Sequence, residues 1–167
     1  MHCPVCGSEC FNINDFKSKR CADCGFVYYL NPSGATVAII INEQGAVLVE
    51  RRANEPACGT LDLPGGFADI GETAEEGIAR EVLEETGLTV VSTRYLFSLP
   101  NNYLYSGMTI PTLDLFFLCE VESGAMPHPA DDAAECFWLS PEDIHPEQFG
   151  LHSIRKGIER FLKKSKL

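Results

Sequence analysis

The 167-residue chain carries a formal net charge of −11, and 45% of its residues are hydrophobic. That is enough for one packed domain with a small appendage and too much for a disordered chain. Residues 31–151 hold twenty acids against four arginines, a net −16, whereas residues 1–30 cancel and residues 152–167 are net +5.

So acidic a body repels nucleic-acid backbones unless cations neutralise it, and nucleic acid is not expected as a partner. The apolar runs are short, as at 37–41, so neither a membrane span nor a secretory signal is expected. A cytoplasmic, reducing location follows as the expectation.

Two C-x2-C pairs open the chain, Cys3/Cys6 in "CPVCG" and Cys21/Cys24 in "CADCG", fourteen residues apart. Such turns bring two thiolates to one tetrahedral Zn²⁺, and Gly7 and Gly25 permit the positive φ that the knuckle needs. Thirty residues bury too little to fold unaided, which gives a metal staple a physical purpose. Four thiolates leave no open coordination position, so the zinc is expected to be structural. Redox-active or disulfide-bonded cysteines are the alternative. Cys10, Cys58, Cys119 and Cys136 are scattered and read as small apolar residues or incidental thiols.

"FVYYL" reads as a strand, and Asn31-Pro32-Ser33-Gly34 as a turn that separates a module at 1–30 from a domain at 31–167. "ATVAIII" and "AVLVERR" flank residues 42–45 as a hairpin. Thr73-Ala74-Glu75-Glu76 has capping-box spacing and Gly87 suits the C′ position, which predicts a helix over 74–86. A strand is expected around 88–97, then a polar, aromatic loop over 98–112. "LDLFFLCEV" and "ECFWLS" follow as strands. The final helix sets Ile154, Ile158, Phe161 and Leu162 on one face and basic residues opposite.

On the 74–86 helix, Glu81, Glu84 and Glu85 fall within an arc of about 100°. Like charges that close destabilise a helix by a few tenths of a kcal/mol per pair, roughly, unless a divalent cation sits among them. A solvated acidic face is the plainer alternative. Pro64-Gly65-Gly66 lets backbone approach a ligand just before the helix, and Glu72 and Arg80 are placed to brace that loop by an ion pair.

Gly66, Glu72, Arg80, Glu81, Val82, Glu84, Glu85, Gly87 and Leu88 reproduce the pattern G-x5-E-x7-R-E-U-x-E-E-x-G-U without a departure, U being aliphatic. The chain thus resembles the Nudix hydrolases. Its ribbon-like start and "FVYYLNP" resemble the NADH-pyrophosphatase-like members. The resemblance implies an α/β/α sandwich with a mixed sheet, preceded by a small zinc ribbon. It also implies hydrolysis of nucleoside diphosphates linked to another moiety, with Mg²⁺ or Mn²⁺. By motif position, Glu81, Glu84 and Glu85 are metal-binding and base-supplying carboxylates, and the Gly65 carbonyl is a further ligand. Gly66, Glu72 and Arg80 then hold the loop–helix shape. Many relatives form homodimers.

Outside the motif, Asp131, Asp132 and Glu135 are candidates for a further metal ligand, against a reading as ordinary surface. Arg51 and Arg52 end a strand near the expected phosphates, and strand alternation turns one of them away. Tyr103 and Tyr105 are candidates to stack on a base, with half-buried loop aromatics as the plainer reading. A Ser-Gln-Pro-Trp-Pro-Phe-Pro-like motif typical of NADH pyrophosphatases is replaced here by "SLPNNYLYSGMTIPTLD". The leading expectation is therefore hydrolysis of ADP-ribose or an ADP-sugar, with NAD(H) as the alternative. A nucleic-acid-binding or ligand-sensing protein is the reading from another class. A purely structural protein leaves the glutamate cluster unexplained.

Overall fold

The structure is a computed structural model that describes residues 1–130 and 133–164. These form two compact units, Met1–Pro32 and Ser33–Leu167. Among the described residues no helix is long and apolar enough to cross a membrane.

The first unit is a three-stranded antiparallel sheet of β1 (Phe11–Asp15), β2 (Ser18–Cys21) and β3 (Val27–Tyr29). Its buried apolar residues are Cys3, Phe11 and Cys21, with Phe26 packed against them. So small a core agrees with the need for a metal staple. Both knuckles close as the glycines require. Gly7 (φ 75°) and Gly25 (φ 76°) donate their N–H groups to the carbonyls of Cys3 and Cys21.

The second unit is layered. β4 (Ser33–Ile40), β8 (Met108–Val121) and β7 (Val90–Tyr105) make a mixed sheet, in which β4 runs parallel to β8 and β7 antiparallel to it. β6 (Leu61–Asp62), β5 (Val47–Arg52) and β9 (Ala133–Leu139) make an antiparallel one. Alternation along β4 divides the core. Ala38 and Ile40 pack with Ile78 and Val82 of α1 (Ala74–Thr86), whereas Val37 and Ile39 pack with Ile154 and Ile158 of α2 (His152–Lys164). Helix α1 starts and stops as its local signals demand. Thr73 and Glu76 form the reciprocal capping box, and Gly87 closes the helix at φ 70°.

Two expectations need correction. Residues 42–45 do turn, with Asn42 Oδ1 accepting from the N–H groups of Gln44 and Ala46, but they do not join a hairpin. Beyond an isolated bridge between Ile41 and Val47, β4 and β5 enter different sheets. Both strands are buried on both faces, so each finds partners further along the chain.

Residues 98–112 are likewise no loop. β7 and β8 continue as a long hairpin turning at Ser106-Gly107, both at positive φ. The polar composition concealed a period-two pattern. Pro100 sits on the edge strand β7, and Pro111 precedes the stretch where β4 joins β8, so neither proline interrupts a ladder on both sides.

Candidate active site

A cleft of about 370 Å³ opens where α1, the 64–69 loop, β4, β5 and the β7–β8 hairpin converge. Its lining includes seven carboxylates, those of Glu50, Asp62, Asp69, Glu81, Glu84, Glu85 and Asp114, against the guanidinium groups of Arg52 and Arg80. So lopsided a set favours cations as occupants.

Arg80 organises the helix side. It clasps Glu72 through two bonds (Nε to Oε1 2.9 Å, Nη2 to Oε2 3.1 Å) and donates to the Phe67 carbonyl. Its Nη1 reaches Glu81 Oε1 and Glu84 Oε2, both at 2.9 Å. The brace expected between Glu72 and Arg80 is therefore present, and Arg80 hydrogen bonds hold the Glu72 carboxyl below its usual range.

Glu85 is buried, and its Oε2 accepts the Gly65 N–H at 2.8 Å. Burial, then the neighbouring charge of Glu50, pushes its carboxyl up to about 10. Burial also raises Glu81. These are the surroundings of groups that a bound cation ionises.

Both loop glycines are required by close approach. Gly65 lies at φ 152°, and a Cβ there would strike the Thr36 carbonyl oxygen. A Cβ on Gly66 would come within 2.5 Å of Glu81 Oε1. Gly66→Ala must therefore displace the Glu81 carboxylate. A misplacement of about 1 Å costs roughly a hundredfold in rate. A Gly66→Ala enzyme within twofold of wild type would contradict this placement.

The NUDIX domain model matches residues 31–161. The chain belongs to the Nudix family. Among its relatives, the NAD-capped RNA hydrolase NudC of Vibrio cholerae is 27% identical over 144 residues, 86% of this chain and 51% of that protein. The chain thus spans about half the length of that relative. A NUDIX hydrolase from Nitrosomonas europaea shares the fold with a TM-score of 0.74 at 23% identity, over 98% of this chain and 90% of that one. The NUDIX domain of Shewanella oneidensis NrtR, solved with ADP ribose, superposes with a TM-score of 0.65 at 20% identity, over 81% of this chain and 89% of that one.

Within this Nudix unit the cleft gathers Gly65, Gly66, Glu81, Glu84, Glu85, Arg80, Arg52 and Tyr103. Arg52 pairs with Asp62, and its Nη2 lies 3.4 Å from the Tyr103 hydroxyl. The Tyr103 ring meets Phe67 edge-on at 5.6 Å. Arg51 and Tyr105 do not line the cleft. Alternation turns Arg51 outward, onto Glu135 (2.9 Å) and the Gly59 carbonyl. Tyr105 sits exposed at the tip of the hairpin. Glu135 is thereby engaged away from the Nudix glutamates, and Asp131 and Asp132 lie outside the described residues.

Sequence reasoning missed Glu50, Asp62 and Asp114, all buried. Each interrupts an otherwise apolar strand pattern, which was the signal available.

The four thiols of the ribbon have their sulfurs within 4.8 Å of one another, with Cys3–Cys24 at 3.7 Å and Cys6–Cys21 at 3.6 Å. A tetrahedron with Zn–S bonds of about 2.3 Å has edges of about 3.8 Å, so the residues fit zinc. The sulfurs are too far apart for a disulfide, and all eight cysteines are free. The Cys24 N–H points at Cys21 Sγ (3.5 Å) and lowers that thiol to about 6, whereas the crowded neighbouring thiols raise Cys6 and Cys24. Among the described residues only these cysteines form a group of three or more whose ligand atoms lie so close; Glu81, Glu84 and Glu85 do not gather as tightly, each held through one oxygen by Arg80 or Gly65.

Proposed function

We propose that the chain hydrolyses, with Mg²⁺ or Mn²⁺, the pyrophosphate bond of a nucleoside diphosphate joined to another moiety, with ADP-ribose or an ADP-sugar as the preferred substrate. The observation that carries this reading is the set of Glu81, Glu84 and Glu85 on one face of α1, sharing with Arg52 a cleft of nucleotide-accepting size. A bound divalent cation neutralises phosphate charge and acidifies water.

In this reading the protein's groups divide the remaining work. Glu81, Glu84, Glu85 and the Gly65 carbonyl hold the cations, and one of the three carboxylates accepts the proton of the attacking water. Arg52 faces the diphosphate, and Tyr103 with Phe67 offers an aromatic wall for a base. Gly66, Glu72 and Arg80 keep the loop and helix in register. The complex of the NrtR domain with ADP ribose supports the choice of ligand within this fold. NAD(H) is the second reading, favoured by the likeness to a NAD-capped RNA hydrolase.

A panel of ADP-ribose, ADP-glucose, NADH, NAD⁺ and NAD-capped RNA with each metal decides between them. The expected result is AMP plus ribose 5-phosphate from ADP-ribose, at a higher kcat/KM than for NADH. Binding without turnover across the panel would turn the reading into one of a ligand sensor.

A further inference from the structure

The carboxylate of Asp114 stands apart from those of the acidic helix. It is 4% exposed, yet it lines the cleft. It lies on the face of β8 that carries Phe116, the face packed against α2, whereas Glu81 and Glu85 come from α1. Its neighbours on the adjoining strands are Ala35 of β4 and Leu99 of β7, neither of which has a side-chain donor. Among the described residues its one hydrogen bond is from Thr112 Oγ1 to Oδ1, at 2.6 Å, and no cation pairs with it. Arg52, the cation on this side, is given to Asp62, whose carboxyl is raised first by burial and further by the charge of Asp114.

A carboxylate so enclosed is costly unless donors satisfy it. The strands here supply one donor, and the small side chain of Ala35 leaves room above the floor. Beyond Asp114 the same face of the hairpin continues with Asn101 and Thr112, register partners that also line the cleft. The apolar core thus gives way to a short polar floor, carried by the β7–β8 hairpin, in the same cleft as the helix glutamates. A diphosphate held at α1 would project its substituent toward this floor.

Resting on the proposed reaction, we propose that Asp114 is a specificity-determining residue that accepts hydrogen bonds from a donor group, a sugar hydroxyl foremost, on the substrate beyond its diphosphate. A substrate lacking that donor leaves the buried acceptor unpaired, which is how such sites discriminate strongly. Asp114→Asn is the informative change. It keeps the size and an oxygen for Thr112, but replaces the second acceptor with a donor.

The test compares wild type and Asp114→Asn, as zinc-loaded full chains with Mg²⁺, on four substrates. They are ADP-ribose, its analogue lacking both the 2′ and 3′ hydroxyls of the adenosine ribose, the methyl ester of ADP, which has no second sugar, and the ADP-ribose analogue with purine in place of adenine. The expected result is a loss of about a hundredfold in kcat/KM on ADP-ribose, carried mainly by KM. The loss should shrink to within about threefold on the one analogue that lacks the group being read. That analogue identifies the donor as a hydroxyl of either sugar or as the base amine.

Equal loss on all four substrates would assign Asp114 a structural role and overturn the inference, and so would no loss on any. If wild type cleaves none of the four, the proposed reaction itself fails and the inference falls with it. Circular dichroism and the thermal midpoint of the variant confirm that the comparison is between folded proteins.

Discussion

Replacing Glu85 with glutamine should abolish turnover by at least about a thousandfold while leaving the fold intact. The substitution keeps the size and helix propensity of the side chain and can still accept the Gly65 N–H through its amide oxygen. What it removes is the anionic oxygen for a cation. Metal assistance amounts to several kcal/mol, and about 4 kcal/mol is a thousandfold in rate.

Stability should move the other way. Without added divalent ion, the carboxyl of folded Glu85 titrates near 10, above its usual 4.5, because the site is buried and Glu50 is close. A carboxyl raised in this way contributes its full stability below pH 4.5. That contribution is lost progressively as the pH rises toward 10, because the unfolded chain ionises first. Glu85→Gln removes this term, so its melting temperature should equal or exceed that of wild type, by more at pH 8 than at pH 5. Glu75→Gln is the control. Glu75 is exposed in the first turn of α1 and does not line the cleft, so its loss should leave the rate nearly unchanged. Equal losses in both variants would mean that general charge, not a particular ligand, supports the activity. An active Glu85→Gln enzyme would remove the mechanism.

The second large effect is expected in the Met1–Pro32 unit. Cys21→Ser should reduce bound zinc from about one per chain to nearly none and melt β1–β3. Structural zinc contributes roughly 10 kcal/mol or more to small domains, and a serine hydroxyl is a poor substitute for thiolate. The remaining core of this unit is little more than Phe11 stacked on Phe26 at 6.5 Å, too small to hold three strands. Hydrogen exchange should therefore show lost protection at the register pairs Phe11–Cys21 and Arg20–Val27, matched by a chelator acting on wild type. Retained protection in the zinc-free variant would show that the strands stand without metal.

The features legible in the sequence are those set by neighbours along the chain. The Thr73–Glu76 capping box, the Gly87 stop and the 3.6-residue period placed α1 correctly and put Glu81, Glu84 and Glu85 on one face. The two C-x2-C-G knuckles declared their geometry in the same way. Tertiary structure alone decided what depends on partners remote in sequence. A local turn at 42–45 could not reveal that β4 pairs with β8 and β5 with β9, because pairing is chosen by burial on both strand faces. Alternation predicted that one of Arg51 and Arg52 faces the cleft but not which, since a bulge between them shifts the register. Glu50, Asp62 and Asp114 looked like isolated acids in apolar strands. Only the folding of three distant strands around one cleft brought them near Glu85 and Arg52, where low exposure and mutual charge give them their chemistry.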